Sequence, residues 1–520
     1  MVITSWLEAN RVQELDHLLT EIKPKLLAYI DQADRNSKNY NVESLGHYYE
    51  PQFLKKEFFH PPQATSVVAN DPSDELFKGI GGSGKLFEVI DKVLKYSVNT
   101  WNPGFLDKLY ASNNPIGVIS DIILSILNTN SHVYTVSPVL SIIENHIGRK
   151  YASLFFTNDL KTCGGLTFPG GSWSNITSLQ MARSLRFPDT KVNGNDGYKF
   201  AVYTSKHCHY SVEKAAILLG LGSSNVFKVN ILEDGRLDAE DLDKTIQKSI
   251  DDGYTPLYIN ATAGTTVFGS YDPFDKIADI AEKYNVHFHV DGSWGGNVVF
   301  SSVHKTKLAG IERANSVTVN PHKMLGIPNT CSFLLVPHVS YFQEAMSLKA
   351  PYLFHGREEE DDENYDLADG TMGCGRRADS FKFYMSWLYY GFEGFAARVD
   401  HAFEIAHYFV KQIVKDNRFE LVIGDLQNLP QCLQVCFYYR PDSYQGRDNT
   451  DITRYISREL HKQGKYLVDF SPDPTNPDSK GEFFRVVFNS PILTDAVVDD
   501  LIASIISSGE SYQQQSQQQS

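Results

Sequence analysis

Between residues 96 and about 390 the chain alternates strand-like and helix-like segments, and that alternation limits the possible folds more than any other feature. "YKFAVYTS" precedes the helical pattern "VEKAAILLGL", "PLYINAT" precedes "FDKIADIAEKY", and "HFHVDGSW" and "SVTVNPHK" follow as further apolar strands. Strands joined through helices run mainly parallel, and the helices cover both faces of the sheet. The expectation is an α/β fold with a large domain over 96–390. Sheets of this kind place ligands in the irregular segments just beyond their strand ends.

The flanks read differently. Residues 1–95 are mostly helical in pattern, with Leu15, Leu18, Leu19 and Ile22 at helical spacing, and are broken by the proline-containing stretch 51–72. This segment is expected to pack against a partner subunit. Residues 391–508 mix strand patterns ("ELVIGD", "CLQVCFYY", "EFFRVVFNSP") with the helical "DITRYISRELHKQ" and "AVVDDLIASII", as in a small C-terminal α+β domain. The Gln/Ser run 509–520 reads as a disordered tail.

A formal net charge of −15 argues against nucleic acid or an anionic membrane as partner. No apolar run reaches the length of a membrane span, and the N-terminus lacks the pattern of a secretory signal. The six cysteines are scattered and form no disulfide framework; Cys432 and Cys436 alternate within a strand pattern and read as core residues rather than metal ligands. A reducing compartment, most simply the cytoplasm, fits this usage.

The chemistry-bearing residues fall at the strand ends. "FPGGSWSN" (168–175) leads into a helical pattern, and glycines at a helix start let backbone N–H groups approach an anion. His209 lies between a strand and a helix, and "NATAGTTVFGSYDP" (260–273) is a hydroxyl-rich loop after a strand. Asp291 ends a buried strand, where a carboxylate is costly unless it meets a cation or strong donors. Lys323 follows thirty-two residues later, after "SVTVNP", at the mouth of another buried strand. A desolvated lysine is a nucleophile for carbonyls. A phosphate loop, a flat histidine, a buried Asp and a nucleophilic Lys together suit pyridoxal 5'-phosphate, held by the lysine as a Schiff base with the carboxylate on its pyridinium nitrogen.

The motifs "PGGSWSN", "NATAGTTVFGSYDP", "HVDGSWGG", "GIERANSV" and "NPHK" occur in the order found in the group II pyridoxal-phosphate amino-acid decarboxylases, and the chain resembles their glutamate, cysteine-sulfinate and aspartate branch from about residue 95 to 508. The resemblance implies the type I, aspartate aminotransferase-like fold and a homodimer. It implies Lys323 as the Schiff-base lysine, Asp291 on the pyridine nitrogen and His209 stacked on the ring. Gly171, Ser172, Asn320 and His322 would hold the phosphate, and Thr262 and Ser293 would line the ring, with Ser293 standing where the family usually has Ala.

Arg485 matches the arginine that clamps a substrate carboxylate, a role suited to its fork geometry. Lys108 stands where glutamate-specific relatives carry Gln, and Asn130 and His132 occupy side-chain-reading positions. A Lys and a His favour an anionic side chain, and the longer cation reaches a shorter substrate. L-aspartate, giving β-alanine and CO2, is therefore expected first, with cysteine sulfinate and glutamate next.

Relatives carry a tyrosine in the loop before "CGR" that returns a proton to the substrate carbon. Here that loop holds the acidic run "EEEDDE" (358–363), and its tyrosine, Tyr365, sits at a shifted spacing, so that either Tyr365 or His209 would donate the proton. The altered loop admits a second enzymatic reading, an oxygen-consuming aldehyde synthase. A third reading is a dimeric pseudoenzyme scaffold, against which the intact Lys323, Asp291 and His209 speak.

Overall fold

The computed structural model describes residues 10–38, 45–58, 82–348, 364–442, 444, 448–472 and 479–519, with side chains described to residue 512. The acidic run 358–363 lies outside them.

Twelve strands form two sheets among the described residues. They are β1 (Phe105–Leu106), β2 (Gly164–Phe168), β3 (Phe200–Ser205), β4 (Val226–Val229), β5 (Thr255–Thr262), β6 (His287–Gly292), β7 (Ser316–Val319), β8 (Ser332–Val336), β9 (Phe419–Leu421), β10 (Gln434–Tyr439), β11 (Leu467–Ser471) and β12 (Phe483–Val487). The large sheet has the order β2-β8-β7-β6-β5-β3-β4. Strands β7, β6, β5, β3 and β4 run parallel, and the one antiparallel strand, β8, lies between β2 and β7. This is the mainly parallel α/β architecture expected from the strand–helix alternation. Its registers bring Thr262 of β5, Asp291 of β6 and Thr318 of β7 into one row, so the loops after these strands open onto one edge of the sheet.

Strand β6 shows how the sequence sets the two faces. Its side chains alternate, so Phe288 and Val290 join the main apolar core, while His287, His289 and Asp291 point the other way. There they face the helix Gly171–Arg186, whose Asn175 bonds to both Asp291 and His289.

The small sheet has the order β1-β11-β12-β10-β9. Here the sequence-based boundary needs correcting. Phe105 and Leu106, placed by pattern in the large unit, pair in parallel with Leu467 and Val468; a two-residue edge strand carries no periodicity to read. The helix Ser380–Ile413 crosses the expected boundary at 390/391, and Gly391 (φ 68°) breaks its geometry there, a backbone state that glycine adopts without steric cost. Phe383, Phe395 and Phe403 pack into the large core, and Phe409 and Ile413, further along the same helix, into the small one.

Two further expectations are revised. Pro51 does not break a helix but starts one, Pro51–Phe58, as proline can when its missing N–H falls in the first turn. The Gln/Ser tail continues the helix Asp495–Gln519: Gln is a good helix former, Gly509 passes close to the Tyr439 ring, and Tyr512 packs 5.0 Å from Tyr455. Among the described residues no helix is long and apolar enough to cross a membrane. Cys432 and Cys436 are buried on β10 and its approach, beside Tyr271 and the Val267 carbonyl.

Candidate active site

The loops at the strand ends enclose a cavity of about 210 Å³. Each of the nine residues expected to hold the cofactor lines it: Gly171 and Ser172 at the helix start, His209 after β3, Thr262 ending β5, Asp291 and Ser293 from β6, and Asn320, His322 and Lys323 after β7.

The phosphate end is built from backbone. The helix Gly171–Arg186 begins at Gly170 (φ 107°) with no side-chain cap, so its first N–H groups are free to take an anion. A Cβ on Gly171 would lie 2.6 Å from Ser293 Oγ and 2.8 Å from Asn320 Nδ2, so this position excludes any side chain. Among the described residues, the buried Asn320 Oδ1 and Thr262 Oγ1 have no hydrogen-bond partner. Buried polar atoms are rarely left unpaired, and both residues line the cavity, where a phosphate-bearing ring with polar edges would supply partners.

The turn carrying Lys323 is pinned on both sides. Lys323 N–H donates to the Asn320 carbonyl (3.1 Å), Asn297 Nδ2 donates to that same carbonyl (3.0 Å), and Asn489 Nδ2 donates to the Lys323 carbonyl (3.0 Å). Burial pushes the Lys323 ammonium below its ordinary range against the opposing pull of Asp291, and the Arg485 charge adds to the downward shift. Such a lysine holds more of its nucleophilic neutral form at neutral pH. His322 Nδ1 lies 2.7 Å from the Cys331 carbonyl, and burial pushes the ring down to about 4.

Asp291 is 4 % exposed. Burial alone would raise its pKa, but His209, the Ser293 N–H (3.0 Å) and Lys323 outweigh it, and the carboxyl stays below its ordinary range. It is therefore a buried anion held by fixed donors, suited to a protonated ring nitrogen. The set of residues fits pyridoxal 5'-phosphate: a helix N-terminus for the phosphate, an anion for the nitrogen, a flat ring for the face and a depressed lysine for the aldehyde.

The residues expected to read the substrate are placed less simply. Arg485, on β12, is buried against the cavity rim, where Nη1 donates to the carbonyl of Thr266, a cavity residue (2.8 Å), and Nη2 to the Asp107 carbonyl (3.1 Å). Nη2 also meets Asp469 Oδ2, and Lys108 Nζ reaches the same oxygen at 3.1 Å while lying 3.2 Å from Asp107. Lys108 is thus shared by two carboxylates and half-exposed, outside the cavity lining.

Asn130 and His132 also lie outside it. Asn130 Oδ1 accepts from the Arg376 N–H (2.8 Å), and His132 Nδ1 turns back to the Asn130 carbonyl (3.0 Å). Tyr365 packs on Tyr134 with ring centroids 5.6 Å apart, in the same region and not in the cavity of its own chain.

Sequence reasoning missed Asn175, Ser211, His289 and Asp469. For His289 the signal was present: His287, His289 and Asp291 alternate along one strand and therefore share a face. Asp469 gave none, because its neighbours come from positions 107 and 485.

A family model described as the pyridoxal-dependent decarboxylase conserved domain matches residues 80–440. The L-aspartate decarboxylase dtxS4 of Metarhizium robertsii is 45% identical over 496 residues, covering 94% of this chain and 95% of that protein. The cysteine sulfinic acid decarboxylase of Mus musculus is 35% identical over 435 residues, covering 81% and 85%. The crystal structure of mouse CSAD in apo form matches with a TM-score of 0.83 at 30% identity, over 95% of this chain and 99% of that one. Oryza sativa TDC with PLP and tryptamine reaches 0.82 at 22% identity, over 98% and 100%, a likeness of fold alone.

Proposed function

The chain belongs to the pyridoxal-dependent decarboxylase family, and from that premise we propose that its substrate is L-aspartate, released as β-alanine and CO2. The reaction class is a pyridoxal-phosphate-dependent amino-acid decarboxylation. When bound, the cofactor supplies an electron sink for the bond to the departing carboxylate. The observation that carries the substrate is the 45% identity, over nearly the whole of both chains, to an L-aspartate decarboxylase. Arg485 and Lys108, paired with Asp469 at the rim, could exchange that carboxylate for the acidic side chain of a substrate.

The chain's own residues divide the work. Lys323 would anchor the cofactor through its aldehyde and is the amine that a substrate amine would replace. Asp291 would keep the ring nitrogen protonated, and His209 would cover the ring face. The helix start at Gly171 and Ser172, with Asn320 and His322, takes the phosphate, while Thr262 and Ser293 line the ring. Arg485 orients a substrate carboxylate, so that the scissile bond is presented in one geometry, a contribution worth several kcal/mol in general. Within one chain His209, which lines the cavity, would return the proton to the substrate carbon. For Tyr365 to do so, it has to come from a partner subunit.

A homodimer is part of this proposal. The helix Pro115–Leu127 exposes Ile119, Ile122, Ile123, Ile126 and Leu127 together, an apolar face of the kind that marks an interface. Sedimentation should give twice the chain mass of 58.6 kDa; a monomer at micromolar concentration contradicts it. The scattered, free cysteines fit a cytoplasmic setting.

The test is CO2 release by the purified holoenzyme from aspartate, cysteine sulfinate, glutamate and DOPA in parallel. The highest kcat/KM is expected on aspartate. A preference for glutamate or cysteine sulfinate keeps the reaction class and overturns the substrate. Peroxide is read in the same wells: its release in step with CO2 would identify the aldehyde-synthase reaction instead.

A further inference from the structure

From Asn175, which lines the cavity floor, a run of buried polar groups extends behind it. Asn175 Nδ2 is 2.8 Å from Asp291 Oδ2 and 3.0 Å from Ser211 Oγ. Asn175 Oδ1 is 3.2 Å from His289 Nε2. His289 Nδ1 is 2.8 Å from Ser316 Oγ, which is 3.0 Å from His287 Nε2. On the cavity side, Ser211 Oγ is 2.9 Å from His209 Nδ1. Asn175, Ser211, His287, His289 and Ser316 are each no more than 3 % exposed, so the missing half of any bond cannot be supplied by bulk water.

Chemistry alone fixes the direction of every bond. An ionised Asp291 only accepts, so the amide group facing it is the Asn175 NH₂, whose second hydrogen goes to Ser211. Asn175 Oδ1 then faces His289 and only accepts, so His289 carries its proton on Nε2. Burial pushes His289 down to about 4 and His287 well below its ordinary range, so both are neutral. His289 Nδ1 is therefore a lone pair that takes the Ser316 O–H, and Ser316 in turn accepts the Nε2–H of His287. On the other arm, Ser211 accepts from Asn175 and gives its own O–H to His209 Nδ1, which also faces the Ser211 backbone N–H at 3.3 Å. The proton of His209 is left on Nε2. The Tyr258 ring stacks on both His287 and His289, with centroids 5.6 Å away in each case, and denies them other rotamers.

We propose that Asn175 is a positioning residue that locks Asp291 in its ionised form and His209 in its Nε2–H tautomer, with His289 holding the Asn175 amide in the one orientation that does both. Protonating Asp291 would turn it into a donor facing a donor. Relief requires Asn175 to flip, which places its NH₂ against the His289 Nε2–H and its oxygen toward Ser211. All the groups from His287 to His209 then have to reverse together. The lock therefore acts on Asp291 and His209 through Asn175 and the buried groups behind it.

The test uses the full-length protein and four variants. Asn175→Asp keeps the shape and sets a second carboxyl against Asp291, which either adds a like charge or shares a proton with it. His289→Gln keeps an N–H donor near Nε2, and His289→Leu does not. Ser211→Ala cuts the arm to His209 and removes the acceptor of the second Asn175 N–H, leaving the Asn175–Asp291 and Asn175–His289 bonds in place. The readouts are the equilibrium affinity for pyridoxal phosphate, the pH midpoint of the bound cofactor's visible absorption, and the split between kcat and KM. Asn175→Asp and His289→Leu are expected to weaken cofactor binding by about tenfold or more, the worth of one charge-assisted hydrogen bond. Both should move the midpoint and lower kcat with little change in KM, while His289→Gln restores all three. If Asn175→Asp and His289→Leu do not fold, Ser211→Ala decides: a moved midpoint supports the lock and an unmoved one overturns it. Cofactor affinity and midpoint at wild-type values in Asn175→Asp overturn it, as does His289→Gln behaving like His289→Leu.

Discussion

The floor of the cavity and its rim use charge in opposite ways. At the floor one anion, Asp291, is surrounded by fixed donors from Asn175 and Ser293, all drawn from the large sheet and the helix packed on it. At the rim two cations, Lys108 and Arg485, share the carboxylate of Asp469. These groups come from the segment just after β1 and from β11 and β12, where the sheet register sets Asp469 directly opposite Arg485. A buried, saturated anion leaves no freedom and suits a cofactor that never changes. A rim whose members already pair with one another can exchange one carboxylate for another, as discrimination among acidic substrates requires. Burial, with the nearby Asp469 charge, pushes the Asp107 carboxyl up.

Breaking the floor should cost most. Lys323→Ala removes the anchor, and decarboxylation should fall by at least about a thousandfold, since the covalent route is lost; CO2 release under saturating cofactor measures it. Asp291→Asn keeps the shape and loses the charge, and kcat should drop by about a hundredfold or more, the usual worth of a preorganised electrostatic contact.

The rim should yield smaller and more selective losses. Arg485→Gln leaves Asp469 without its buried partner, and KM for aspartate should rise about thirtyfold or more, in line with truncating one member of a buried charge pair. A changed kcat at constant KM would place Arg485 outside substrate binding. Lys108→Gln acts on a half-exposed ion pair, and such pairs are worth about 1 kcal/mol or less. The expected effect is a shift of about fivefold or less in the aspartate-to-glutamate ratio, toward glutamate. An unchanged ratio would remove Lys108 from the account of specificity.

The smallest effect concerns stability. Burial holds His322 at about 4 in the folded chain, against 6.5 for the free side chain. The unfolded chain then binds the proton first as pH falls. The stabilisation is whole above pH 6.5 and is lost on going from there toward pH 4, by at most about 1.4 kcal/mol per pH unit. Apo-protein carrying His322→Gln should show a shallower acid loss in urea titrations; an identical slope would mean that His322 is not buried neutral.

The two regions also differ in how far the sequence alone reveals them. Lys323, Asp291 and His209 each follow an apolar strand pattern, so local periodicity suffices to set them at one sheet edge. The glycine at 171 is legible too, as part of a Gly-Gly pair ahead of a helix. Asn175 and His289 hide inside regular elements, where a polar residue reads as an ordinary surface position until the facing element is known. Asp469 is less accessible still. Its meaning depends on a register linking residues 105–108, 467–471 and 483–487, and the two-residue strand that begins this link has no pattern of its own. The position of Tyr365 against Tyr134 follows likewise from tertiary packing and not from the spacing of its loop.

The measurement that bears most directly on the division between floor and rim is reduction of the holoenzyme with borohydride, followed by peptide mapping. The account predicts a single pyridoxyl group, on Lys323. Label on another lysine, such as the buried Lys382 that bonds the Pro328 and Thr330 carbonyls, or no label on a cofactor-bearing enzyme, would contradict it.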